Sequence, residues 1–252
     1  QFRHKFIKFD GAVLTNLTPE HIESHGGFEE YRAAKSELFA ALPESGLAVI
    51  NRDDSNWKYF ADKTRAQKVF YGLEALNENG AFHRIADVVS RDRISFVIDG
   101  VSFVSALFCK FNVFNILASV AAAHAFGLSF MRIAAALKNI SPVPGRLEII
   151  QEKPFRVVVD YAHTPNALRN VYETLSESYK LQAKSNRLIC VLGAAGGGRD
   201  KWKRPELGKI AGDFCGEIVL TNEDPYDEPP HEIIEQVAAG AGRRVEKILD
   251  RR

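Results

Sequence analysis

Apolar positions along the chain fall into short strand-like runs and longer amphipathic ones, and the two kinds alternate. Ala12-Val13-Leu14-Thr15 predicts a buried strand, Phe28 to Leu42 a helix, and Leu47-Ala48-Val49-Ile50-Asn51 a second strand. Residues 80–108 follow another rhythm. Alternating runs over Phe82–Val89, Ile94–Asp99 and Val101–Leu107, joined by Arg91-Asp92 and Asp99-Gly100, predict antiparallel strands and hairpins. Two helices follow, over 112–126 and 129–139, and Ser141-Pro142-Val143-Pro144-Gly145 reads as a linker.

Beyond the linker the pattern restarts. Strands are predicted over 155–160, 187–193 and 217–221, and helices over 165–180, 204–214 and 230–239. Strand–helix alternation with Val/Ile/Leu-rich strands predicts an α/β fold with a parallel sheet covered on both faces. No internal repeat or low-complexity segment is visible. The first unit begins abruptly and the second stops after three strands, so both ends read as cut.

Composition narrows the function classes. The 252 residues are 46% hydrophobic and 26% charged, enough for one large domain or two modest ones. A net charge of +1 gives no electrostatic case for nucleic acid or an anionic membrane. No run approaches the ~18 apolar residues of a membrane span. Gln1-Phe2-Arg3-His4-Lys5 has no apolar core, so it does not read as a signal peptide. Cys109, Cys190 and Cys215 are widely spaced and unpatterned, which suggests core thiols in a reducing cytoplasm.

The helix over Phe28–Leu42 carries an anomaly. Phe28, Tyr31, Leu38, Phe39 and Leu42 form one apolar stripe, and Lys35 falls in its middle. A lysine there either snorkels, its stem packed and its head in water, or has a task. Burial would disfavour the ammonium, and the neutral amine can capture carbon dioxide as a carbamate, an oxygen ligand for Mg²⁺. Upstream, Thr18 is a good N-cap and Pro19 a good first helical residue, so His21 is expected in a first turn, where the helix dipole favours neutral imidazole. His21 and His25 are spaced for zinc, but Glu23 is misplaced for a zinc hydrolase.

Taken together, Thr15-Asn16-Leu17-Thr18-x-x-His21, His25-Gly26 and Tyr31-x-Ala33-Ala34-Lys35-x-x-Leu38-Phe39 resemble the central domain of Mur ligases of the MurE type. The resemblance implies that His21 binds Mg²⁺ and that Lys35 is carbamoylated. Gln1-x-Arg3 is similar to the family's contact with its muramoyl-dipeptide substrate. Phe111-Asn112-x-x-Asn115 resembles the helix that reads the adenine of ATP, with Asn115 favoured over Asn112. Pro144-Gly145-Arg146-Leu147-Glu148 is similar to the junction motif whose arginine touches ATP phosphate. The most diagnostic string is Asp160-Tyr161-Ala162-His163-Thr164-Pro165, which implies that Asp160 holds the ribose and that His163 lies beside the nucleotide. Gly193-Ala194-Ala195-Gly196-Gly197-Gly198-Arg199-Asp200-Lys201 fits neither dinucleotide nor Walker pattern. It resembles the family's loop in which Arg199 would grip the carboxylate of the incoming amino acid. Lys201, Lys203 and Arg204 read as solvated.

The resemblance implies the later part of a P-loop-type central ATPase domain over 1–144 and a Rossmann-like α/β C-terminal domain over 145–252. It implies an ATP-dependent amide ligase, cytoplasmic and monomeric, acting on UDP-N-acetylmuramoyl-dipeptide and a free amino acid through an acyl phosphate. Where diaminopimelate-selecting members carry Asp-Asn-Pro-Arg, this chain has Glu223-Asp224-Pro225-Tyr226. With Asp227 and Glu228 nearby, that acidic run suggests a cationic amino acid such as lysine, bound by Glu223 and Asp224. The sequence contains no G-x-x-x-x-G-K-[ST] loop, so the chain reads as a fragment that is inactive alone. Two rivals stand beside this reading. A folylpolyglutamate-synthetase-like ligase would more typically show Asp-Gly-Ala-His-Asn at 160–164. A non-catalytic nucleotide-binding module would lack the phosphate loop altogether.

Overall fold

The computed structural model describes residues 6–73, 86–89, 93–178 and 188–251. In chain order the elements are β1 (Gly11–Leu14), α1 (Ile22–His25), α2 (Phe28–Ala40), β2 (Leu47–Asn51), α3 (Trp57–Lys63) and β3 (Gln67–Tyr71). Next come β4 (Ala86–Val89), β5 (Ile94–Ile98), β6 (Val101–Ser105), α4 (Lys110–Ala125) and α5 (Phe130–Leu137). The remainder is β7 (Glu148–Gln151), β8 (Val157–Val159), α6 (Pro165–Ser178), β9 (Ile189–Leu192), α7 (Lys203–Phe214), β10 (Glu217–Thr221), α8 (Pro230–Gly240) and β11 (Glu246–Ile248). The chain forms two compact units, one from 1–18 and 29–142, the other from 19–28 and 143–252.

In the first unit β1, β2 and β3 form a parallel sheet, with Val13 opposite Val49 and Val49 opposite Val69. All five residues of the central strand β2 are buried, as its apolar run requires of a strand covered on both faces. The exit from β1 is pinned by polar side chains. The Asn51 Nδ2 donates to the Thr15 carbonyl at 2.7 Å, Asp54 accepts the Leu17 amide at 2.7 Å, and the Tyr71 hydroxyl donates to the Leu14 carbonyl at 3.0 Å. The expected antiparallel strands are present as β4–β5–β6, with residues 82–85 of the first run and Arg91-Asp92 lying outside the described residues. Phe96 and Phe103 pair across β5–β6 and join Leu117 and Val120 of α4 in one core. The helix α3 and strand β3 were not anticipated from the sequence.

In the second unit β9, β10 and β11 are parallel, while the expected strand at 155–160 does not join them. As β8 it pairs antiparallel with β7, because the short turn 152–156 cannot make the crossover that a parallel pair needs. The third parallel strand is β11 instead. Helices α7 and α8 touch backbone to backbone. A Cβ on Gly208 would lie 1.9 Å from the Val237 carbonyl oxygen, and one on Gly240 would lie 1.8 Å from that of Pro205. All three cysteines are buried, as expected, but Cys190 of β9 and Cys215 after α7 form a disulfide, with Cα atoms 6.0 Å apart. The expectation of cysteines outside any disulfide therefore holds only for Cys109 among the described residues. No helix among the described residues is long and apolar enough to cross a membrane.

Candidate functional site

The linker turn builds the first cluster. Gly145 (φ 70°) and Leu147 (φ 47°) are left-handed, so the chain doubles back just before β7. The turn is held by carboxylates: Glu148 accepts the Gly145 amide at 2.7 Å, and Asp160 accepts the Leu147 amide at 2.8 Å and the Ala162 amide at 2.7 Å. Asp160 leaves β8 and so ties that strand's end to the turn. Arg146 then lies 4.4 Å over the Tyr161 ring, and Tyr161 stands edge-on to His163 at 4.8 Å. The structure thus brings together Arg146, Asp160 and His163, and adds Tyr161, which the sequence reading quoted in its motif but gave no role. Asp160, Tyr161 and His163 line an open cleft of about 1030 Å³ that also reaches Gly193, Thr221 and Glu223. Arg146, Tyr161 and His163 are exposed, their polar ends available to a ligand.

The glycine-rich loop after β9 is stitched to the loop after β10. The Gly196 amide donates to the Asp224 carbonyl at 2.9 Å. Gly197, at φ 67°, lies under the Tyr226 ring, where an added Cβ would sit 2.6 Å from the ring, so a side chain there would collide. Arg199 and Asp224 are exposed and Glu223 is half-buried.

Of the three cations expected to be solvated, only Lys201 is exposed. Arg204 is 1% exposed and forks onto Glu228 at 2.9 and 3.0 Å, with further bonds to Gln236 at 2.8 Å and the Ala195 carbonyl at 3.2 Å. Hydrogen bonds from Arg204 first, with help from Lys201 at 3.2 Å, hold the Glu228 carboxyl down at about 2. Lys203, 6% exposed, donates to Glu20 at 2.6 Å. Sequence reasoning missed these two because their counter-charges arrive from distant segments. The available signal was the abundance of acid at 223–228, which the sequence reading assigned to substrate.

His21 differs from its expected setting. The helix begins at Ile22, not Pro19, and His21 itself takes the N-cap position at φ 54° with no side-chain cap from Thr18. The segment is fixed instead by ties from Glu20 and Glu23 to residues 200–203. His21 Nε2 lies 4.0 Å from Glu20. Burial lowers its pKa, against the upward pull of Glu20 and Asp200 and with the downward push of Lys203 and Arg199. The neutral, ligand-competent imidazole is therefore favoured by desolvation rather than by the dipole of a one-turn helix.

Lys35 does not meet expectation. Its side chain is exposed, with Nζ 5.4 Å from the Tyr31 ring centroid one turn back, while Ser36 fills the buried position between Tyr31 and Phe39. The flexible stem has snorkelled, and the apolar surroundings invoked for a carbamate are absent. In the first unit Asn112 donates to the Phe108 carbonyl at 2.8 Å and receives the Asn115 amide at 3.2 Å, leaving Asn115 the more exposed. Gln1 and Arg3 lie outside the described residues. Among the described residues no group of three His, Cys, Asp or Glu side chains is placed to hold a metal.

Comparison with known proteins agrees with these motifs. The Mur ligase middle domain matches residues 2–123, and the Mur ligase glutamate ligase domain matches residues 145–252. The UDP-N-acetylmuramoyl-L-alanyl-D-glutamate–2,6-diaminopimelate ligase of Halalkalibacterium halodurans is 37% identical over 247 residues, covering 92% of this chain and 48% of that protein. The ligase of the same name from Chlamydia caviae is 38% identical over 241 residues, with 94% and 49% covered. The crystal structure of MurF from Acinetobacter baumannii shares the fold, with a TM-score of 0.72 at 20% identity over 95% of this chain and 50% of that one. The chain spans about half the length of the curated relatives it matches. With its linker-turn cluster, its glycine-rich loop and two consecutive domain matches, the chain belongs to the Mur ligase family.

Proposed function

We propose that the whole protein is a MurE-type ligase, which uses ATP to join an amino acid to UDP-N-acetylmuramoyl-L-Ala-D-Glu. The observation that carries this reading is the convergence of Arg146, Asp160, Tyr161 and His163 on one exposed cluster, in a chain 37% identical over 247 residues to a ligase of that name. The glutamyl carboxylate attacks the γ-phosphorus of ATP and ADP leaves; the amine then attacks the acyl phosphate and phosphate leaves. Arg146 faces phosphate, His163 and Tyr161 flank the nucleotide, and Asp160 accepts from ribose hydroxyls through the lone pairs its backbone bonds leave open. Asn115, with Asn112 behind it, reads the adenine. Arg199 forks onto the carboxylate of the incoming amino acid. Gln1 and Arg3 contact the muramoyl-dipeptide.

In the family pattern Mg²⁺ would be held by His21 and a carbamoylated Lys35; for His21 the support is that burial favours its neutral imidazole. Mg²⁺, when bound, neutralises charge on the transferring phosphoryl group. For Lys35 the support is the motif alone, since its amine is exposed; intact-protein mass before and after acid treatment tests the carbamate. Diaminopimelate is the amino acid we favour. The lysine expectation leaned on an acidic run, and its member Glu228 is already engaged by Arg204 and Lys201. We place the protein in the cytoplasm as a monomer. Thiol titration of the Cys190–Cys215 pair in freshly lysed cells tests the compartment, and light scattering tests the mass.

The full-length protein incubated with ATP, Mg²⁺, the UDP-dipeptide and either diaminopimelate or lysine should release ADP with diaminopimelate and yield the tripeptide by mass spectrometry. No ADP release with any amino acid would end the ligase reading; preference for lysine would end only the diaminopimelate assignment.

A further inference from the structure

Segment 19–28 and the turn leading into α7 are far apart in sequence, yet within the second unit they exchange hydrogen bonds in both directions. Asp200 Oδ1 accepts the Glu23 amide at 3.0 Å. The Glu23 carboxylate in return accepts the Lys201 amide at 3.1 and 3.2 Å and the Trp202 amide at 3.4 Å. Those amides are the orphan donors that open α7, whose N-cap residue Trp202 supplies no capping side chain. Glu23 therefore caps a helix about 180 residues away, from the acidic side that the helix dipole prefers. Beside this exchange the Lys203 ammonium, its side chain 8% exposed, sits 2.6 Å from Glu20 and 3.7 Å from Asp200, whose carboxylate is buried.

His21 lies beside this exchange, its Nε2 4.0 Å from the Glu20 carboxylate. The charges of Glu20, Lys203, Asp200 and Arg199 all act on its imidazole, so the segment and the Arg199 turn share one electrostatic neighbourhood. We propose that Glu23 and Asp200, braced by Glu20 and Lys203, form a reciprocal latch that fixes the Arg199 turn against the His21 segment. Glu23 is thereby a positioning residue for the amino-acid substrate. The latch is an observation about this chain; the positioning role rests on the ligase reading above. Loss of Glu23 frees the backbone that carries Arg199, while Arg146, Asp160, Tyr161 and His163 keep their own ties in the linker-turn cluster.

Two measurements test this. Hydrogen exchange on the 252-residue chain should show the Lys201 and Trp202 amides exchanging at least about tenfold faster in Glu23→Ala, and the Glu23 amide faster in Asp200→Asn, as loss of charge-assisted bonds requires. Unchanged exchange in Glu23→Ala overturns the latch. In the full-length protein Glu23→Ala should raise KM for the amino acid about tenfold or more while KM for ATP stays within about twofold, and Glu23→Asp should recover part of the loss. An equal rise in both KM values, or in neither, overturns the positioning role. Circular dichroism and thermal melting confirm that each variant is folded, and Glu20→Gln breaks the brace separately should Asp200→Asn fail to fold. If the unmodified protein turns over no amino acid, the ligase reading falls, and the exchange experiment still decides the latch.

Discussion

Helices α2 and α7 each bear a cation on the face that meets the core, and they treat it in opposite ways. On α7, Arg204 is 1% exposed and Glu228 grips its planar fork with both carboxylate oxygens. On α2, Lys35 reaches out of the same kind of face and lies over the ring of Tyr31, while the small Ser36 takes the interior place. Both positions are compatible with burial by helix geometry. The difference is a counter-charge delivered by another segment, and a donor shape that can use it. A helical stripe therefore predicts where a cation starts, and the partner across the core decides where its charge ends.

The sharpest way to break this contrast is to remove the partner. Glu228→Leu should cost about 3–5 kcal/mol in urea denaturation, because it strands a buried guanidinium. Adding Arg204→Met should restore most of that loss; if it does not, the pair is not what holds α7. Next is the seam that presses α7 onto α8. Gly208→Ala should cost about 1–3 kcal/mol, since its new Cβ would meet the Val237 carbonyl oxygen at 1.9 Å and the helices would have to separate. A further effect is set by pH. The Glu228 carboxyl is lowered in the folded chain from 4.5 to about 2, so the unfolded chain binds more protons between those values. Its contribution is complete above about 4.5 and disappears as pH falls through about 2, and Glu228→Gln should flatten the acid limb of the stability profile there. Smallest is Lys35→Ala, which should change stability by less than about 0.5 kcal/mol; a loss of several times that would mean the lysine is packed after all.

Much of the fold was legible because the residues concerned obey local rules. Leu47–Asn51 and Glu217–Thr221 are strands with the predicted bounds, and the antiparallel runs at Ile94–Ile98 and Val101–Ser105 were announced by the Asp99-Gly100 turn between them. What the sequence concealed was pairing at a distance. The strand Val157–Val159 has the composition of a parallel strand, yet its short connection to β7 settles its direction. Cys190 and Cys215 are 25 residues apart with no spacing signature, so only the packing of β9 against the end of α7 reveals the bond. The candidate site divides similarly. Arg146, Asp160 and His163 are neighbours through a turn readable in the Pro-Gly-Arg string, whereas the buried states of Lys203 and Arg204 depend on Glu20 and Glu228.

The membership of residues 19–28 in the second unit also sets a clock. Glu23 meets Asp200 across a separation of 177 residues. At the usual pace of synthesis the segment emerges roughly 10–35 s before its partner exists. During that interval its two glutamates and His21 stay in water, which their polarity allows. The latch therefore closes late, once the distant part of its own unit, residues 143–252, has been made.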